Sequence, residues 1–126
     1  MLNELEAVKN SNALYMAYYG AFQSLMAKHA FNPYNKLDYL KKSQQSLNKA
    51  ISQNPTDAEM RFLRFSIQYY VPRFLGYSSN LEEDKKVILA NVHRCQGDVK
   101  AVISRFMLET NMLTETERKT LQQHVS

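Results

Sequence analysis

Apolar residues along this chain recur at three- and four-residue intervals, and proline or glycine separates one run from the next. From Ala13 to Ala30 the positions Leu14, Tyr18, Phe22, Leu25, Met26 and His29 follow i, i+4, i+8, i+11, i+12, i+15, the stripe of an amphipathic helix. Tyr15 and Tyr19 widen that face. Gly20 sits inside it, where glycine costs about 1 kcal/mol relative to alanine, so close approach of a neighbouring helix is the expected reason. Upstream, Leu2, Leu5 and Val8 mark a short lead-in over residues 1–12. Asn32-Pro33 closes the first long helix. Leu37, Leu40, Ser43, Leu47, Ala50 and Ile51 then predict a second, from Asn35 to Gln53, with lysines and glutamines on its far side. Asn54-Pro55 closes that one.

The stretch from Thr56 to Val71 is the centre of the pattern. Thr56 is placed to cap a helix, with Glu59 three residues on to complete a capping box. Pro72 stops the helix by disfavouring helical geometry at Val71. Asp57, Arg61, Arg64 and Gln68 form one narrow polar stripe; Met60, Phe62, Leu63, Phe65, Ile67, Tyr69 and Tyr70 cover the rest. A helix so apolar is normally buried on several sides, so the other helices are expected to wrap it.

Beyond it, residues 71–79 read as a loop in which Phe74, Leu75 and Tyr77 tuck against the core and Gly76 supplies a turn with positive φ. Asn80, with Glu83, caps a fourth helix whose stripe is Leu81, Ile88, Val92 and Cys95. Gly97 ends it. Asp98 caps a fifth with Val99, Val102, Ile103 and Phe106 inward. Thr114 with Glu117 opens a short last helix to about His124, and its thin apolar content, Leu121 and Val125, predicts loose docking. The pattern therefore gives a single all-α domain of five or six helices, arranged as an antiparallel array of helical hairpins: 13–54 the first, 57–97 the second, 98–126 the C-terminal helices.

Composition narrows the picture. The 126 residues suffice for one domain. Three glycines and three prolines are too few for the many turns of an all-β fold. The single cysteine, Cys95, excludes an intrachain disulfide and a multi-cysteine metal site. No apolar run approaches the ~18 residues of a membrane span, and no signal peptide is visible, although a leader removed upstream would leave the same sequence. The compartment therefore stays open, cytoplasmic or exported. The net charge of +4 is concentrated on Lys36, Lys41, Lys42 and Lys49, a face that reads as solvated surface, with nucleic-acid binding the lesser reading.

The closing signature Leu47, Ala50, Ile51, Asn54, Pro55, followed at once by a new helix, resembles the tetratricopeptide repeat over roughly residues 13–97. The spacing departs from it, because the connection from Gly20 to Ala50 and the loop 71–79 are both long. The run from Glu59 to Arg64 and on through Pro72 to Tyr77 also resembles a group of small, uncharacterised bacterial helical proteins. Together these resemblances imply a divergent repeat-like domain without assigned activity, often behind a secretory leader.

Candidate sites are few. Arg61, Arg64 and Arg73 are expected to gather near Asp84 and Glu59, either as a clamp for an anion or peptide carboxylate or as an ion-pair tie between the central helix, the loop and the fourth helix. Tyr15, Tyr18, Tyr19 and Tyr39 are expected to share a surface between the first two helices, as a binding face or as core tyrosines with wet tips. His29, His93 and His124 lack metal spacing, and no nucleophile elbow, phosphate loop or metalloprotease motif is present. The reading is a non-catalytic protein–protein interaction or scaffolding domain with no cofactor. Its expected partner is another protein or peptide, or a second copy of the chain. The alternative is a small-molecule or anion binder using the arginine–tyrosine surface.

Overall fold

The structure is a computed structural model describing residues 13, 14, 16–20 and 33–125. The lead-in 1–12, Tyr15 and the stripe residues Phe22, Leu25, Met26 and His29 lie outside the described residues. Residues 13, 14 and 16–20 are helical. Five helices follow: α1 (Pro33–Gln53), α2 (Ala58–Tyr70), α3 (Leu81–Asn91), α4 (Gly97–Glu109) and α5 (Glu115–Gln122), with single 3-10 turns at Arg73–Leu75 and Val92–Arg94. Among the described residues there is no strand, so the class is all-α. None of these helices is long and apolar enough to cross a membrane.

Helix α2 is the hub. It packs against α3 most extensively, against α1 on another side, and reaches α4, on which α5 rests. Gln44 and Asn48 of α1 meet Gln68 and Arg64 of α2 in reverse order, as Asp84 of α3 and Asn80 just before it meet Arg64 and Gln68. All three helices therefore run antiparallel to their neighbours. Two apolar clusters flank α2. One gathers Ala13, Ala17, Leu47, Ala50, Ile51 and Met60, with Leu63 and Ile67 against it. The other gathers Phe65, Leu81, Ile88, Val92, Ile103, Met107 and Leu121, with Phe62, Tyr69 and Phe106 against it. Phe65 is fully buried, so the wrapped central helix is present.

Gly20 has the predicted function. A methyl group there would stand 3.0 Å from the Leu47 Cγ and from the Ser43 carbonyl oxygen, so only hydrogen allows this approach to α1. Val71 is extended ahead of Pro72, and Gly76 has φ of +79°. The Thr114–Glu117 capping box forms with both hydrogen bonds.

Elsewhere local expectation loses to tertiary partners. Asp57, not Thr56, caps α2, accepting from the Met60 N–H at 3.0 Å, and Glu59 turns instead to the Tyr18 hydroxyl. Asn80 precedes α3 without capping it, because its side-chain oxygen accepts from Gln68 Nε2 at 3.0 Å. Gly97 opens α4, preceded by Gln96, so Asp98 is inside the first turn and not its cap. Helix α3 stops at Asn91, short of the predicted end at Gly97.

Several residues assigned to apolar faces are exposed, Tyr18 and Tyr70 among them. Phe74 is 87% exposed, because the one-turn 3-10 segment directs Leu75 inward and Phe74 away. Leu37 and Val102 are exposed too, Val102 because Ile103 and Met107 fill the inner face of α4. Conversely, α5 docks firmly. Leu121 is fully buried, and Lys85 of α3 donates to the Met112 carbonyl at 3.0 Å and pairs with Glu117 at 3.7 Å.

Candidate functional site

The polar stripe of α2 is internal. Arg61, Arg64 and Gln68 are 6%, 5% and 2% exposed, and they lie in the seam between α1 and α3. At its middle is Asp84, with no exposed surface. Arg64 grips it with both edges of its fork, Nε to Oδ2 at 2.8 Å and Nη2 to Oδ1 at 2.6 Å. Arg61 Nη1 shares Oδ1 at 3.0 Å. Two further donors are used: Arg61 Nε reaches the Pro55 carbonyl at 3.0 Å, and Arg64 Nη1 reaches Asn48 at 2.9 Å. Glu83, on the wet rim, lies 3.3 Å from Arg61 and 3.7 Å from Arg64. Two guanidinium charges thus face two carboxylates. Buried ions are tolerated only when paired and hydrogen-bonded in this way. The Asn80 amide, then the Arg61 guanidinium, hold the Glu83 carboxyl below its ordinary range.

The seam continues through neutral amides. Gln68 Nε2 donates to Gln44 Oε1 at 2.7 Å, and Gln68 Oε1 accepts from the Asn80 N–H at 2.9 Å. Ser78 donates to the Gln68 carbonyl at 3.1 Å, drawing the loop onto the end of α2.

Sequence reasoning brought together Arg61, Arg64 and Asp84, and the structure does the same. It does not bring in the other two members. Arg73 is exposed on the 3-10 turn, without an ion pair among the described residues, and Glu59 faces Tyr18. The geometry is that of a tie between helices, since both arginines turn inward onto Asp84.

The tyrosines divide differently. Tyr18 donates to Glu59, and that bond, followed by partial burial and the negative charge around it, pushes its pKa up to about 12. Tyr19 is half exposed. Tyr39 lies beneath the Lys42 ammonium, 6.0 Å from the ring centre, and Tyr19 is close enough to act on the same lysine. Lys42 pairs with Asp38 at 3.1 Å, and that bond raises its pKa. Tyr39 thus faces Lys42, whereas Tyr18 is directed at Glu59 of α2.

A face that sequence reasoning missed is aromatic. Phe106 of α4 meets Phe62 edge-on at 5.2 Å, Tyr69 at 6.2 Å and Tyr70 at 6.1 Å. Tyr70 stands edge-on to Tyr69 at 5.2 Å and is 73% exposed. Val102, one turn before Phe106, is 57% exposed. Phe74 follows four residues beyond Tyr70. The available signal was the excess of apolar residues on α2 over what two neighbours can cover.

Among the described residues no three of His, Cys, Asp and Glu come together as metal ligands. Comparison of the chain with protein families, curated proteins and solved structures found no match.

Proposed function

We propose that this chain is a non-catalytic protein-interaction domain that holds its partner on the aromatic face of α2 and α4. The observation that carries this reading is the exposure of Tyr70 and Val102 beside the Phe62–Tyr69–Phe106 ring cluster, with the exposed Phe74 four residues beyond Tyr70 in sequence. Rigid rings of this kind, well supported from beneath, provide contact area at little entropic cost and dominate protein interfaces. Arg73 and Arg105, both exposed, lie in sequence beside Phe74 and Phe106 and suit the rim of such a patch. The resemblance to tetratricopeptide-like hairpins points to the same class of role, since helical arrays commonly act as binding surfaces. The burial of Arg61 and Arg64 and their pairing with Asp84 weigh against the alternative of an anion clamp.

The test pairs the wild-type chain with Tyr70→Glu/Phe74→Glu as immobilised baits in extract from the native source, with sedimentation of both in parallel. A protein retained by the wild type and lost by the double variant, or a wild-type dimer that the variant dissolves, supports the reading, provided the two melt alike. Equal capture and an unchanged oligomeric state overturn it.

A further inference from the structure

At the end of the bundle opposite Phe74 lies a cleft of about 610 Å³, between the α1–α2 connection and the α3–α4 connection. This volume falls in the range of small-ligand sites, about 300–1,000 Å³. One wall carries Asp57 and Glu59, from the start of α2. The other carries Arg94 and Gln96, and Leu14 contributes an apolar edge. Asp57, Glu59 and Cys95 all line the cleft, and, with burial as the main cause, the two carboxylates help push the Cys95 thiol up. Yet Arg94 makes no ion pair with either carboxylate among the described residues. Each carboxylate also keeps an oxygen beyond the one used by Met60 N–H or by Tyr18. Asn54 lines the cleft too, and its Nδ2 group is buried without an acceptor. An unpaired buried donor is costly, and other atoms of the same residue line the cleft.

We propose that this cleft binds a short zwitterionic peptide. The ligand ammonium sits against Asp57 and Glu59, and its carboxylate against Arg94. Opposite charges held apart across a gap select a ligand that carries both. A phosphorylated ligand would set its charge against two carboxylates, and a simple amine would leave Arg94 unmatched. Because the cleft is separate from the aromatic face, this inference stands or falls independently of the proposed protein partner.

The experiment is an amide-resolved NMR titration of the full chain with the dipeptide Ala-Ala, its N-acetylated form and its C-terminal amide. Ala-Ala is expected to shift resonances within 54–59 and 91–97 and not those of Tyr70 or Phe74. Capping either end is expected to weaken binding about tenfold, the loss of one charge-assisted contact. In Arg94→Ala, an exposed position whose folding is checked by circular dichroism, the free dipeptide and its C-terminal amide are expected to bind alike. Absent shifts, shifts elsewhere, equal binding of capped and free dipeptides, or an undiminished carboxylate preference in Arg94→Ala would each overturn the proposal.

Discussion

Asp84 is the residue on which most depends. Its two oxygens accept three hydrogen bonds from two buried guanidinium groups. Asp84→Ala leaves those cations in the seam with only the rim carboxylate of Glu83. Removing one partner of a buried pair costs roughly 3–5 kcal/mol, and denaturant unfolding should register that loss. A change below about 1 kcal/mol, the scale of a surface ion pair, would show the seam to be solvated. The sequence placed Arg61, Arg64 and Asp84 together but left open whether they form a clamp for a ligand or a tie between helices. Helical period shows that residues share a face. It cannot show which face is dry when the matching acid lies on another helix.

Tyr18 carries a prediction with a sign. Its folded pKa, about 12, exceeds the ordinary 10.0. A group raised in this way contributes stability that is fully present below pH 10 and lost as the pH climbs toward 12. Unfolding measured across that window should show a fall in the wild type that is absent from Tyr18→Phe. Equal profiles would mean that the hydroxyl and Glu59 do not meet in solution.

At the scale of the element, what was legible depended on how local the partner is. The Thr114 box was readable because both of its hydrogen bonds close within three residues. Thr56 and Asn80 presented the same pattern and did not form it, because Tyr18 draws Glu59 away and Gln68 takes the Asn80 oxygen. Such competitors lie far along the chain, so no window around a cap can show them. Gly20 was legible for the opposite reason, since a helix-weakening residue in a strong stripe needs a packing cause. Gly20→Ala should cost about 1–3 kcal/mol, the usual range for overpacking, because the Ser43 carbonyl oxygen that it meets at 3.0 Å belongs to the α1 backbone. A stabilised Gly20→Ala variant in thermal melts would show that the helices can separate without penalty.

For the whole molecule, two apolar clusters share α2 as a common wall, and the ionic seam runs along the same helix. Phe65 and Phe74 sit nine positions apart and should behave oppositely. Phe65→Ala empties the buried cluster at roughly 3–5 kcal/mol, whereas Phe74→Ala, 87% exposed, should stay within about 0.5 kcal/mol. Calorimetry of both variants measures this contrast directly. The all-helical class and the hub helix were open to reading because they follow from period and punctuation. The aromatic face was not, since a stripe that continues past its available neighbours looks like any other core.

The arrangement at Asp84 also fixes register. Sliding α2 by a turn against α3 would strand every one of its three charges in a dry place, so few alternative packings can compete. A lock of this kind is inherited as a unit. In any lineage sharing this chain's ancestry, loss of the acid at position 84 should be accompanied by loss of both arginines, and a sequence retaining only one of the three would be the exception that breaks the rule.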